Sequence, residues 1–315
     1  MKEFIINSND SGQRVDKFLT KAVRLLPKAL MYKYIRTKRI KLNSKRCEIS
    51  TKLCEGDVLS LYINDELFGE NPDKDFLTVS SSINIVYEDD NILLIDKPCG
   101  MVVHEDDENT ADTLINRVKR YLFEKGEYIP ETEASFSPSL CNRIDRNTGG
   151  IVICAKNAES LRILNQKIKD RELEKLYLCI TVGSPNKKTE TLMAYLIKDE
   201  DKKQVFISDK PIRGYKQIKT KYTVVEKKGE LSLVEIDLIT GRTHQIRAHM
   251  AHIGCPLLGD GKYGVNSVNM RYNVKTQALY SYKLTFKFKS DAGILSYLDG
   301  KSFSVEKIWF RDLFF

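Results

Sequence analysis

No Cys-x-x-Cys pair occurs in this sequence, and its 7 cysteines are an odd number scattered among apolar neighbours. That pattern predicts reduced core and surface thiols, not a disulfide framework or a zinc site. Long apolar runs are missing too, and none approaches the roughly 20 residues that span a bilayer. The first residues, Met1-Lys2-Glu3-Phe4, are too acidic and too poor in hydrophobics for a signal peptide. A cytoplasmic protein with no membrane partner is expected. No Gly-x-Ser-x-Gly marks a nucleophilic serine. His244, His249 and His252 invite a metal reading, but they match neither His-Glu-x-x-His nor a deaminase spacing, so no metal site is expected.

What is present is 315 residues, 42% apolar, with 51 basic against 43 acidic side chains and a net charge of +8. This is enough chain for more than one domain. The positive charge gathers early, with 13 Lys/Arg against 4 Asp/Glu from Gly12 to Ile63. Val15, Phe18, Leu19 and Ala22 recur at helical spacing and predict a helix over Arg14 to Arg24. Pro27 suits the start of a second helix, with Leu30, Met31 and Tyr34 inward. Ile35 to Asn43 reads as a strand, Ile40 and Leu42 alternating with Arg39 and Lys41. A turn at Gly56-Asp57 then feeds a strand from Val58 to Ile63. Residues 12–64 thus form a small α/β module. Its basic face is either a solubilising surface or a reader of phosphate backbones.

Residues 65–82 read as a linker, with Gly69, Pro72 and Ser80-Ser81-Ser82 in it and only Phe76-Leu77 as a docking point. From 83 to 315 strands dominate, with about three helices between them. Met101 to His104 and Val305 to Phe310 are predicted strands, Lys187 to Lys210 is polar and ambiguous and reads as short strands with exposed loops, and Arg242 to Ala251 is predicted helical. The pattern argues for a mixed α+β domain, mainly antiparallel, and against a doubly wound nucleotide fold.

One stretch organises the rest: Cys141-Asn142-Arg143-Ile144-Asp145-Arg146-Asn147-Thr148-Gly149-Gly150. An acid stands between two arginines, followed by a two-glycine turn and the buried-strand run Ile151-Val152-Ile153-Cys154. Asp145 is either a turn cap paired with Arg146 or a reactive carboxylate placed by a rigid strand. Two further stretches are candidates for the same site. Lys175 and Tyr177 share one strand face, and Leu238 to His249 is dense in hydrogen-bonding types. A buried Asp needs a partner to stay charged, and Arg247 suits that task, although an ordinary salt bridge would use the same residue. Tyr177 reads equally as a half-buried strand aromatic.

These residues carry a resemblance. Asn142 to Gly150 resembles the His-Arg-Leu-Asp-x-x-Thr-Ser-Gly signature of the RluA-type family of large ribosomal-RNA and transfer-RNA pseudouridine synthases. The likeness extends to Asp96-Lys97-Pro98-x-Gly100 with Val103-His104, to Lys175-x-Tyr177, and to Gly241-Arg242-Thr243-His244-Gln245-Ile246-Arg247. It continues through Gly254, Pro256, Gly259-Asp260 and Tyr263-Gly264. The module at 12–64 is similar to a small RNA-binding domain first seen in a small-subunit ribosomal protein, the S4 type. The resemblance implies isomerisation of uridine to pseudouridine, without cofactor, most naturally in large-subunit ribosomal RNA. It implies Asp145 as the catalytic carboxylate, Tyr177 packing on the base, and Arg247 pairing with the aspartate. Arg143, Lys175, Arg242, His244 and Gln245 would meet the substrate, and Arg36, Lys38, Arg39 and Lys41 would meet RNA. The protein would act as a monomer. There are two departures: Asn142 stands where the signature has His, and Gly149-Gly150 where it has Ser-Gly. Transfer RNA is the alternative substrate. A non-catalytic RNA-binding protein and a histidine-dependent metal hydrolase are the competing classes.

Overall fold

The computed structural model describes residues 1–68, 75–105 and 110–313. A small sheet holds β1 (Lys2–Ile5), β2 (Ile40–Leu42), β3 (Lys45–Arg46) and β4 (Val58–Leu61), ordered β1-β4-β2-β3. Helices α1 (Val15–Ala22) and α2 (Lys28–Arg36) cover it. Val15, Phe18 and Leu19 of α1 join Met31 and Ile35 of α2 and Ile40, Leu59 and Leu61 of the sheet in one core. The expected strand over Ile35 to Asn43 shrinks to three residues. Ile35 lies four positions after Met31, so burying both on one helix face keeps 35 and 36 in α2. Lys38 then turns the chain at φ +62. Leu30 and Tyr34, expected inward, are only half-buried, because Met31 and Ile35 take the core face. The small sheet also takes in β1, ahead of residue 12, since β4 offers β1 a full antiparallel edge.

Of the expected linker, Gly69 and Pro72 lie outside the described residues. Phe76 is fully buried against Phe123 and Tyr128, so the docking point is occupied. The small module rests on the larger part: Asn9 and Asn7 donate to Glu133, and the Ser135 hydroxyl donates to Asp10.

The large sheet has eleven strands: β5 (Ile85–Glu88), β6 (Ile92–Lys97), β7 (Ser139–Leu140), β8 (Gly149–Ala155), β9 (Leu173–Val182), β10 (Thr189–Asp199), β11 (Gln204–Ser208), β12 (Lys216–Lys228), β13 (Leu231–Asp237), β14 (Leu279–Phe286) and β15 (Ser302–Ser304). Their main order is β11-β10-β12-β13-β9-β14-β8-β6-β5, with β15 beside β14 and β7 beside β8. The β14–β8 pair is parallel and the rest are antiparallel, which makes this the expected mixed α+β architecture. Four helices accompany it: α3 (Leu114–Glu124), α4 (Ala158–Lys169), α5 (Gln245–His252) and α6 (Asn266–Arg271).

Period-two alternation sorts the strands' side chains to the two faces. Val152 and Cys154 meet Leu114, Val118 and Leu122 of α3, while Tyr177 and Cys179 meet Ile246 and Met250 of α5. Ile144 touches both groups, so the 141–148 loop sits where they join. On the opposite face, Ile151 and Ile153 meet Leu164 of α4, and Leu178 and Ile180 meet Val268 of α6 and Phe310.

Four expectations change. The 187–210 region, read as short strands with exposed loops, is one long hairpin, β10 and β11, whose extent the sequence leaves ambiguous because much of it is exposed and polar. Met101 to His104 forms no strand; its carbonyls at 102 and 103 instead accept the first N–H groups of α3. Val305 to Phe310 forms no strand either, and buries Ile308 and Phe310 as a cover on the sheet. Helix α5 starts at Gln245, because His244 takes a left-handed turn at φ +51. All seven cysteines are free thiols, four of them buried. Gly259 to Gly264 has the letters of a Gly-x-Gly-x-x-Gly fingerprint, but it is a turn between loops and not a strand-to-helix junction. No helix among the described residues is long and apolar enough to cross a membrane.

Candidate active site

Asp145 sits on the loop between β7 and β8, four residues before a strand that is buried along its whole length. The glycines expected to form a turn instead begin that strand, and each is there for close approach. A Cβ on Gly149 would lie 2.4 Å from the Tyr280 ring, and one on Gly150 would lie 2.2 Å from the Ser281 carbonyl oxygen. Gly150 also holds φ +113, where only glycine is unstrained. The glycine pair lets β14 draw alongside β8, which leaves Asp145 at a fixed strand end.

The loop is tied from both sides. Asn142, standing where the signature has His, bonds the backbone of β8. Its side-chain oxygen accepts the Ile153 N–H at 2.8 Å, and its amide reaches the Ile151 carbonyl at 3.5 Å. Its part is to hold the loop to β8, which requires no charge. Lys97, fully buried, donates to the carbonyls of Pro98, Met101 and Arg146 at 2.8–2.9 Å. Burial brings its pKa down to about 8, against the pull of Cys99, Asp145 and Asp96. It clamps the turn after β6 to the residue beside Asp145.

Arg247 reaches across from α5. Its Nη1 donates to Asp145 Oδ2 at 2.9 Å, while Nε and Nη2 make a two-pronged bond to Asp260 at 2.7 and 2.9 Å. Asp260 has no solvent exposure, against 26% for the Asp145 side chain. Burial opposes both charges of the Arg247–Asp260 pair. Even so, the pair holds the guanidinium above its ordinary pKa and the Asp260 carboxyl below its own. Asp260 also accepts the N–H groups of Lys262 and Tyr263, and the Arg247 guanidinium lies over the Tyr263 ring at 5.3 Å. The buried carboxylate fixes the arginine, and the arginine's remaining nitrogen addresses the exposed one.

Tyr177 is buried beside this pair, packed with Ile144 and Ile246. Burial first, then the nearby Asp145 charge, push its phenol up to about 12 despite a contact from Ser281. The hydroxyl is protonated at neutral pH and can donate a hydrogen bond. Lys175, two residues before it, is half-buried, and burial lowers its pKa. Its ammonium has no hydrogen-bond or ion-pair partner among the described residues. Arg143 and Arg242 are exposed at the rim. His244 Nε2 lies 3.9 Å from Asp145, and its Nδ1 meets the Tyr263 hydroxyl at 3.0 Å.

Gln245 belongs with the framework. It is 2% exposed, and its amide is spent on Thr240, the Arg242 N–H, the Lys219 carbonyl and Thr220. With every hydrogen-bonding group engaged inside, it anchors the turn and has nothing left for a substrate. His249 bonds Thr220 and His252 bonds Asp209, so the three histidines face three different partners. Among the described residues no three His, Cys, Asp or Glu gather as a metal would need.

Arg36, Lys38, Arg39 and Lys41 lie well away in sequence, around the end of α2 and β2. The first three are exposed. The Arg39 guanidinium lies over Tyr34, and the Lys41 ammonium over Tyr62.

Sequence reasoning quoted Lys97, Asp260 and Tyr263 within the motifs but gave none of these three positioning groups a role. For Asp260 a signal existed, since an acid inside Gly-Asp-x-x-Tyr-Gly is open to burial and a buried acid must be paired.

Comparison with known proteins identifies the family. The RNA pseudouridylate synthase family profile matches residues 91–252. An uncharacterized RNA pseudouridine synthase of Mycoplasma genitalium is 32% identical over 90% of this chain and 88% of its own length. The ribosomal large subunit pseudouridine synthase C of Vibrio cholerae is 30% identical over 82% of this chain and 79% of its own. The human RNA pseudouridylate synthase domain containing 4 structure shares the fold, with a TM-score of 0.56 at 20% identity over 72% of this chain and 89% of its own. The chain therefore belongs to the RNA pseudouridine synthase family, the enzymes that isomerise uridine to pseudouridine within RNA.

Proposed function

We propose that this enzyme modifies large-subunit ribosomal RNA, with Asp145 as its reacting carboxylate. The observation that carries the second half is the Asp145–Arg247–Asp260 array: one carboxylate partly open to solvent, held by an arginine that a buried carboxylate immobilises. An ionised, oriented carboxylate is what breaking a glycosidic bond calls for, whether it attacks the sugar C1′ or the uracil ring. The RNA target is supported by relatives named for the large ribosomal subunit, and transfer RNA is the alternative. Work on ribosomal RNA would place the protein in the cytoplasm.

The target uridine must leave its stack before the site can reach it, which costs a few kcal/mol. Tyr177 would pack on the extruded base, and the rim arginines Arg143 and Arg242 would hold the strand, offsetting that cost. Lys175, a half-buried cation with no partner among the described residues, suits a phosphate. The pocket then keeps the detached uracil oriented while C5 turns toward C1′. The module at residues 12–64, similar to the S4-type RNA-binding domain, would capture RNA through Arg36, Lys38, Arg39 and Lys41 without reading sequence.

A transcriptome-wide pseudouridine map tests both halves. Cells lacking the gene are compared with cells re-expressing the wild type or Asp145→Asn. Large-subunit sites restored by the wild type alone are the expected result. Sites restored only in transfer RNA would change the target, and restoration by Asp145→Asn would overturn the carboxylate's role.

A further inference from the structure

His244 has a proton inventory that the proposed chemistry has not used. Its backbone is left-handed, at φ +51 on the first position before α5, and its ring is held edge-on against Tyr263. On one edge, Nδ1 lies 3.0 Å from the Tyr263 oxygen. That oxygen already accepts the Val205 N–H at 2.9 Å. The phenol proton then needs an acceptor, and Nδ1 is the one the geometry supplies. The tautomer in which Tyr263 donates to Nδ1 leaves the phenol proton paired, and in it the neutral ring carries its own proton on Nε2. Burial is the chief influence keeping the ring neutral. Arg247 and Lys262 act in the same sense, against Asp145 and Asp260. Nε2 stands 3.9 Å from Asp145 Oδ2, too far for a hydrogen bond, so this proton is unspent beside the reacting carboxylate.

We propose that His244 is a catalytic residue, a neutral imidazole whose Nε2–H is offered to a carbonyl oxygen of the uracil ring as that oxygen gains charge. The inference rests on Asp145 being the carboxylate at the reacting nucleotide. It does not depend on the route. If the C1′–N1 bond breaks first, its electron pair stays with the ring and spreads over N1, O2 and O4. If the carboxylate first adds to C6, the C5–C6 π pair moves onto O4. In both cases negative charge grows on a carbonyl oxygen, where a fixed donor is worth most.

Neutrality matters as much as position. An imidazolium would hand the ring its proton and quench the electron density that C5 needs to bond C1′. A neutral imidazole N–H keeps its proton while still polarising the oxygen, as a histidine held neutral does in other carbonyl chemistry. No proton leaves His244, so the balance of the isomerisation is unchanged; the C5 proton departs to another group.

The test uses the full-length enzyme and large-subunit ribosomal RNA transcribed with uridine tritiated at C5. His244→Ala should slow single-turnover tritium release by about 100-fold, the usual cost of losing one such donor, with RNA affinity changed less than threefold. His244→Gln, whose amide can present N–H at a similar reach, should recover at least tenfold of that loss. Nitrogen-15 spectra of the wild type should show Nδ1 unprotonated and Nε2 protonated, with Tyr263→Phe mixing the tautomers. A proton on Nδ1, Gln no faster than Ala, or affinity falling in step with rate would each overturn the donor role. A wild type that releases no tritium while the expected tautomer is present would overturn the proposed target or chemistry, and the role of His244 with it.

Discussion

Arg247 divides its nitrogens between two acids, and each acid has a different task. Asp260 faces no solvent and takes two of them, so its loss leaves a buried guanidinium held only by Asp145. Asp260→Asn should lower single-turnover rate more than tenfold and also lower the melting temperature, since breaking a buried pair costs about 3–5 kcal/mol. RNA affinity should stay within about threefold; an unchanged rate would remove Asp260 from the mechanism. Asp145→Asn removes the reacting oxygen's charge and none of the rim contacts. Isomerisation should vanish while RNA binding, measured by filter retention, is nearly intact, and a parallel loss of both would count against the assignment. Gly149 is the third informative position. A methyl there meets the Tyr280 ring, whose hydroxyl donates to Asp96 at 2.6 Å. Gly149→Ala should cost about 1–3 kcal/mol by overpacking, and adding Tyr280→Leu should return part of it in denaturant titrations.

Helix α5 shows how an element can be misjudged from its letters and still be found. Its polar residues suggested a site, and the structure buries six in a row, from Gln245 to Met250, against β12 and the strands beside it. The sequence signals the helix but not its start, because a left-handed histidine has no compositional signature. The β10–β11 hairpin was legible as strands with exposed loops but not in its length or pairing, as an exposed polar hairpin carries little hydrophobic period. Within α5, burial holds His249 down to about 4, against about 6.5 when unfolded. The neutral ring is the folded form, so the stability it gives is whole above pH 6.5. It is lost as pH falls toward 4, at no more than about 1.4 kcal/mol per unit. The melting temperature should fall across that window, and His249→Gln should flatten the fall. Equal slopes would mean another group titrates there.

The whole molecule joins a basic module to a sheet covered on both faces around β8 and β9 and open on one face toward β10 and β12. The reversal Arg39→Glu with Lys41→Glu should weaken capture of ribosomal RNA and flatten its salt dependence, because fewer counterions are released. The single-turnover rate at saturating RNA should hold. An unchanged salt slope would show that this face does not meet RNA. The two modules meet through Asn7, Asn9 and Asp10 against Glu133 and Ser135, residues more than 120 positions apart. Nothing in either stretch announces that contact, since the partners are ordinary surface types.

The sequence by itself determined the mixed α+β class, the basic early segment, and the ordered motifs that place Asp145, Tyr177 and Arg247 in one family pattern. Those are local features: composition, period and spacing are written along the chain. Only the tertiary structure decided that Asp260 immobilises Arg247, that Gln245 is framework, that Asn142 ties the loop to β8, and which edge of His244 is free. Each of these depends on which groups already have partners. Partners come from segments distant in the chain, and burial decides which of them must be satisfied.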